Sequence, residues 1–159
     1  MKSQRGFTLI ELLVVIAVIG ILAAVVLASL SSARNKGGDA AVKSNLATVR
    51  SQAELYFDYY ERYRSGVGTD YSGDCNTSGT MFQQTGGALE GRAIADVITA
   101  SITAAVNAGG GNKQCRTTGS GDKYMLLVQL KSSSAYWCID SAGAAKQVAS
   151  LPGAGVHNC

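Results

Sequence analysis

The sequence is poor in the residues on which most enzymes and metal proteins depend. Its 159 residues include one histidine, His157, one proline, Pro152, and one tryptophan, Trp137. A single histidine excludes His-based catalytic triads and multi-histidine metal sites. The acidic residues are scattered over polar helix faces and turns, with no pair placed for acid–base work. The four cysteines contain no CxxC pair, and their successive separations of 40, 23 and 21 do not resemble a zinc site. Gly109-Gly110-Gly111-Asn112-Lys113 lacks both the GxxxxGK[ST] spacing and a preceding strand, so it reads as a turn and not a phosphate loop. The net charge of +3 gives no case for a nucleic-acid partner. No catalytic residue, metal or cofactor is expected, and the chain reads as something other than an enzyme.

What is present is a long apolar run. Phe7 to Leu30 carries a single charged side chain, Glu11, in 24 residues. As a helix it would measure roughly 36 Å, against a bilayer core of roughly 30 Å. Lys2 and Arg5 precede it directly, and the next basic residues are Arg34 and Lys36. This arrangement is compatible with a short N-terminus held in the cytoplasm. Without Lys2 and Arg5 the chain has 12 basic against 11 acidic residues, nearly neutral, which suits a subunit packed against copies of itself. An ordinary secretory signal cut near Ser31-Ser32-Ala33, or a plain anchor, leaves Glu11 unexplained, since a carboxylate there only weakens insertion.

After the run, Leu46, Val49, Ala53, Tyr56, Phe57 and Tyr60 recur at steps of three and four, one face of an amphipathic helix. Lys43, Ser44, Arg50, Ser51, Glu54, Asp58 and Glu61 take the opposite face. One long helix is expected, open to a bend at Gly37-Gly38, with Asp39 placed to cap a restart. Residues 66–87 read as a polar, glycine-rich loop holding Cys75. Leu89 to Asn107 reads as a second helix, with Leu89, Ile94, Val97, Ile98, Ile102, Ala105 and Val106 at helical spacing and a stop at the three glycines. Tyr124 to Lys131 and Ala135 to Asp140 read as adjoining strands, and Ala144 to Ala149 as a third. The fold class is α+β, a long N-terminal helix packed on a small antiparallel sheet. The aromatic cluster Tyr56, Phe57, Tyr59, Tyr60 and Tyr63 reads as packing against that sheet and not as an electron path.

The residues beyond the apolar run are rich in Gly, Ala, Ser and Thr, so the core is thin and covalent support is welcome. All four cysteines lie on the side of the membrane segment that would be exported, which favours two disulfides. Four cysteines allow three connectivities. Cys75–Cys115 with Cys138–Cys159 is the favoured one, because each bond closes a loop within a local unit. Asn76-Thr77-Ser78 fits the glycosylation pattern, a short motif with frequent chance matches.

Gly6-Phe7-Thr8-Leu9-Ile10-Glu11, followed by Leu12-Leu13-Val14-Val15-Ile16, closely resembles the prepilin signature of type IV pilins and type II secretion pseudopilins. The resemblance covers the leader and the whole anchor, and the order helix, sheet, C-terminal cysteine loop is pilin-like. It implies a leader at 1–6, a membrane and filament-core helix at 7–30, its amphipathic continuation at 31–65, and a small globular domain at 66–159. It further implies that a prepilin peptidase cuts between Gly6 and Phe7, that the Phe7 amine is N-methylated, and that Phe7 and Glu11 serve assembly. The implied partners are membrane lipid before assembly, an inner-membrane assembly platform and copies of the chain in a helical filament. The implied location is the bacterial inner membrane, then an extracellular or cell-envelope filament. Many members of that family have a proline late in the anchor. Here any loosening of the helix would have to rely on Gly20 and its followers. Two other readings are a type II secretion pseudopilin and an anchored binding module that never polymerises.

Physical chemistry gives Glu11 a role under this reading. A carboxylate one turn into a helix interacts favourably with the N-terminal dipole and with an ammonium at Phe7. In an apolar core an unpaired charge of either sign costs several kcal/mol, and a matched pair removes much of that cost. Glu11 of one subunit meeting the Phe7 amine of the next would reward register and assembly together. The alternative is that Glu11 caps only its own helix.

Overall fold

The computed structural model describes residues 6–64, 68–73, 75, 81–82, 89–153 and 155–159. Met1 to Arg5, Asn76-Thr77-Ser78 and most of the expected 66–87 loop lie outside the described residues, as does the side chain of Leu89. The elements, in chain order, are α1 (Leu9–Tyr60), β1 (Tyr71–Gly73), α2 (Leu89–Ala108), β2 (Lys113–Thr117), β3 (Tyr124–Gln129), β4 (Tyr136–Asp140) and β5 (Ala145–Val148). The chain divides into two compact units, residues 1–35 and residues 36–159.

The second unit is an antiparallel meander, β1-β2-β3-β4-β5 in spatial order, with part of α1 and α2 packed on one face. Val42, Leu46, Val49, Ala53 and Tyr56 of α1 are fully buried at alternating steps of four and three, the stripe that a 3.6-residue period places on one side. The seven polar positions opposite are all exposed. Ile98, Ile102 and Ala105 supply the buried face of α2. β3 is the central strand and is covered on both sides. Tyr124, Leu126 and Val128 join the helices, whereas Met125 and Leu127 pack with Cys138 under Tyr136, Val148 and Cys159. That two-sided burial is why YMLLV reads as an unbroken apolar run.

The C-terminal segment covers the far face and is fastened by polar groups as well as sulfur. Cys138 is bonded to Cys159, and Cys75 to Cys115. Buried Arg116 donates to the carbonyls of Pro152, Gly153 and Val156. Asp140 accepts from the amides of Ala142, Ala144 and Cys159. One bidentate cation and one carboxylate thus satisfy a segment that has no ladder of its own.

The expected single long helix is present, and α1 runs through Gly37-Gly38 without interruption. Other details differ from the sequence-based expectation. A Cβ on Gly38 would sit 2.6 Å from the Ala108 carbonyl oxygen, so the glycine serves a close approach of α2 and not a break. Asp39 is not a cap. Its Oδ1 accepts from the amides of Lys131 (2.6 Å) and Ser132 (3.1 Å), and its Oδ2 from the Ser132 hydroxyl, fixing the β3–β4 turn. The helix ends at Tyr60, with Glu61 at φ 56, so Tyr63 lies beyond it and bonds the Gly121 carbonyl instead. Tyr59 is exposed, while Tyr56 and Tyr63 are buried against Phe82 and Tyr124. β1 and β2 are strands that the pattern did not announce, because KQCRT has no apolar alternation and is strand through its pairing with β1 and β3.

Two outcomes follow for stability. Burial pushes the Asp39 pKa up, but the hydrogen bonds from Ser132 and Lys131 and the nearby Lys43 charge outweigh it and hold the carboxyl below its ordinary 3.8. Its contribution is therefore present above pH 3.8 and lost as pH falls through the lower folded value. Asp39→Ala strands two backbone donors and should cost about 1–3 kcal/mol at neutral pH. Asp39→Asn should flatten the acid limb of a thermal-melt series followed by circular dichroism. Separately, Cys138→Ser with Cys159→Ser should lower stability by about 3 kcal/mol in the chain-entropy description. Non-reducing peptide mapping should find Cys75 joined to Cys115 and Cys138 to Cys159.

Candidate functional site

The first unit has no core of its own. From Phe7 to Leu30 its large apolar side chains are exposed on every side of α1, from 89% at Phe7 to 44% at Leu30. A helix apolar all round belongs in a membrane or inside an assembly, because each such side chain left in water forgoes about 1.5–3 kcal/mol of burial. By length and composition α1 contains one segment able to cross a membrane.

At the start of this helix the backbone donors of the first turn have no intrahelical acceptor. Thr8 precedes the first helical residue, Leu9, and Glu11 is the third helical residue. Glu11 Oε2 accepts from the Thr8 amide at 2.9 Å and from the Thr8 hydroxyl at 2.8 Å. In return the Glu11 amide donates to Thr8 Oγ1 at 3.3 Å. This is a reciprocal capping box, and it satisfies two orphan donors at once. Both bonds to the carboxylate fall on Oε2, and among the described residues Oε1 takes none. The carboxylate is thus oriented by its own helix.

Gly6 and Phe7 flank the helix start. A Cβ on Gly6 would meet nothing within 4 Å, and Gly6 is not among the glycines at positive φ. Nothing among the described residues requires a glycine there. Phe7 is the most exposed of the described large apolar residues. The sequence reading singled out Gly6, Phe7 and Glu11 but missed Thr8, although the T-x-x-E spacing of Thr8 and Glu11 was the available signal. The cysteines belong to the second unit. Among the described residues no group of three His, Cys, Asp or Glu side chains could hold a metal.

The comparisons with known proteins bear on this N-terminal segment. The family described as the prokaryotic N-terminal methylation motif matches residues 1–27. The type IV wide pilus major component PilA4 of Thermus thermophilus is 46% identical over 56 residues, 35% of this chain and 43% of that protein. The type II secretion system core protein G of Klebsiella michiganensis is 40% identical over 55 residues, 35% of this chain and 39% of that protein. The type IV major pilin protein PilA of Myxococcus xanthus is 37% identical over 60 residues, 38% of this chain and 27% of that protein. The chain therefore spans less than half the length of these curated relatives. No solved structure matches it. The chain carries the prokaryotic N-terminal methylation motif, and its homologues are type IV pilins and type II secretion core proteins.

Proposed function

We propose that this chain is a structural subunit, not an enzyme, of a type IV pilus-like filament, cut by a prepilin peptidase between Gly6 and Phe7 and N-methylated on Phe7. The observation that carries the reading is a helix apolar and exposed all round, opening on an unobstructed Gly6-Phe7 bond with one oriented acid one turn in. Before assembly the helix anchors the subunit in the inner membrane as a single pass. Lys2 and Arg5 support a cytoplasmic N-terminus. An assembly platform then passes subunits into a filament, where neighbouring apolar helices replace lipid.

Cleavage changes the electrostatics of the site. It creates an ammonium on Phe7 at the positive end of the helix dipole, an arrangement that is unfavourable without a nearby anion. Oε1 of Glu11 in an adjacent subunit supplies that anion. A second reading, a pseudopilin of type II secretion, is supported by the match to core protein G. Regular filaments sheared from cells and viewed by electron microscopy would separate both from an anchored module that stays monomeric.

Processing is tested by mass spectrometry. The mature chain should begin at Phe7 with a methylated amine, and Gly6→Val should accumulate as uncut, membrane-bound precursor. A mature N-terminus near Ala33 would sink the reading.

The role of Glu11 is tested by pairing two variants. Thr8→Ala removes the capping box but keeps the acid, a loss of about 1 kcal/mol. Glu11→Ala removes the counter-ion as well, a loss of several kcal/mol per contact in an apolar core. Both variants should insert and be cleaved. Sheared filaments should be nearly normal for Thr8→Ala and scarce for Glu11→Ala, with Glu11→Gln defective too. Equal yields from Thr8→Ala and Glu11→Ala would reduce Glu11 to a cap of its own helix.

A further inference from the structure

The exposed face of α1 in the second unit is divided by charge. Lys43, Ala47, Arg50, Glu54 and Asp58 follow one another at steps of four, three, four and four, so they share one side of the helix. The N-terminal part of that stripe is basic and the C-terminal part acidic, with Glu61 just past the helix end. Among the described residues the side chains of Arg50, Asp58 and Glu61 make no hydrogen bond or ion pair, and all three residues are exposed.

Beside the basic part lies a groove of about 430 Å³ between α1 and the β4–β5 ribbon. Its floor is apolar, formed by Trp137, Ile139 and Ala145, with Lys43 and Arg50 on its rim and Glu54 at the edge where the acidic part of the stripe begins. Lys43 Nζ sits 4.8 Å from the centre of the Trp137 ring, so one rim cation is already held over the floor. Beside the acidic part, Leu55 and Tyr59 are 51% and 42% exposed. One end of the stripe is therefore basic over an apolar floor, and the other is acidic beside apolar projections. A surface that complements itself at an offset makes a head-to-tail contact, which propagates and does not close.

We propose that the Lys43–Arg50–Trp137 groove receives the Glu54–Asp58 end of α1 from a second copy of this chain, displaced along the helix. The inference rests on the filament reading and adds the lateral contact of the globular units. A displacement of eleven residues, about 16 Å at 1.5 Å per residue, sets Glu54 of one copy level with Lys43 of another, a different neighbour from the one whose Phe7 meets Glu11. The same displacement brings Asp58 level with Ala47, one turn from both Lys43 and Arg50. Leu55 and Tyr59 then lie where they can cover the apolar floor.

The test uses the full chain in filaments sheared from cells. Treatment with a zero-length carbodiimide should join Lys43 to Glu54 or Asp58, read by mass spectrometry of the excised dimer. Within one helix those pairs are about 16 and 22 Å apart, so such a product is necessarily intersubunit. Arg50→Glu and Asp58→Lys, each at a side chain without a hydrogen-bond or ion-pair partner among the described residues, should lower filament yield by about tenfold because the lost contact recurs at every subunit. The double variant Arg50→Glu/Asp58→Lys should recover yield to within about threefold of wild type, since it exchanges the two signs. Filaments that form normally from both single variants, or that lack the Lys43 cross-links, would overturn the pairing while leaving the filament reading intact. A Lys43 cross-link to a different protein would overturn it in favour of a foreign partner. A wild-type chain that forms no filament would instead bring down the filament reading, and this contact with it.

Discussion

An apolar helix exposed on all sides is the constraint around which this protein is organised. Residues 7–30 are exposed in the described chain, and under the proposed function their burial comes first from lipid and then from copies of the same helix. That requirement accounts for the composition of the segment, with no basic residue and a single acid. It also explains why the acid is placed in the first turn. Deeper in the helix it would meet neither orphan amides nor the positive end of the dipole, and its desolvation would be uncompensated.

The second unit solves a different problem with limited means. Its core uses a narrow seam of α1, three residues of α2 and one face of a five-stranded meander. Much of the remaining sequence is Gly, Ala, Ser and Thr, which bury little area per residue. Polar groups and sulfur make up the difference. Asp39 fixes the β3–β4 turn, Arg116 and Asp140 hold the C-terminal segment, and two disulfides shorten the loops of the unfolded chain. α1 takes part in both units with opposite logic, all-round apolar in the first and strictly amphipathic in the second.

In the proposed filament two charged features divide the labour of assembly. Glu11 and Phe7 would lie where helices meet in an apolar interior, a setting in which a single matched charge matters greatly. The Lys43 to Asp58 stripe lies at the exposed surface, where individual pairs are weak and specificity comes from the pattern of signs. Under that proposal the apolar helix supplies most of the binding area and the charges select the register.

The sequence by itself determined the elements whose chemistry is local. The 24-residue apolar run, the lone Glu11, the steps of three and four from Leu46 to Tyr60 and the three-glycine stop of α2 all follow from period and residue type. The T-x-x-E box was legible as well, though Thr8 was passed over. Only the tertiary structure decided what depends on residues far apart in the chain. KQCRT became β2 because β3 offered it a ladder. Asp39 became the anchor of a turn more than ninety residues away instead of a cap. Gly38 became a contact point for α2, and Tyr59 stayed exposed while Tyr56 and Tyr63 were buried. Helical period and capping are set by neighbours within about four residues. Strand pairing and buried polar contacts are set by whichever groups the rest of the fold brings within hydrogen-bond distance.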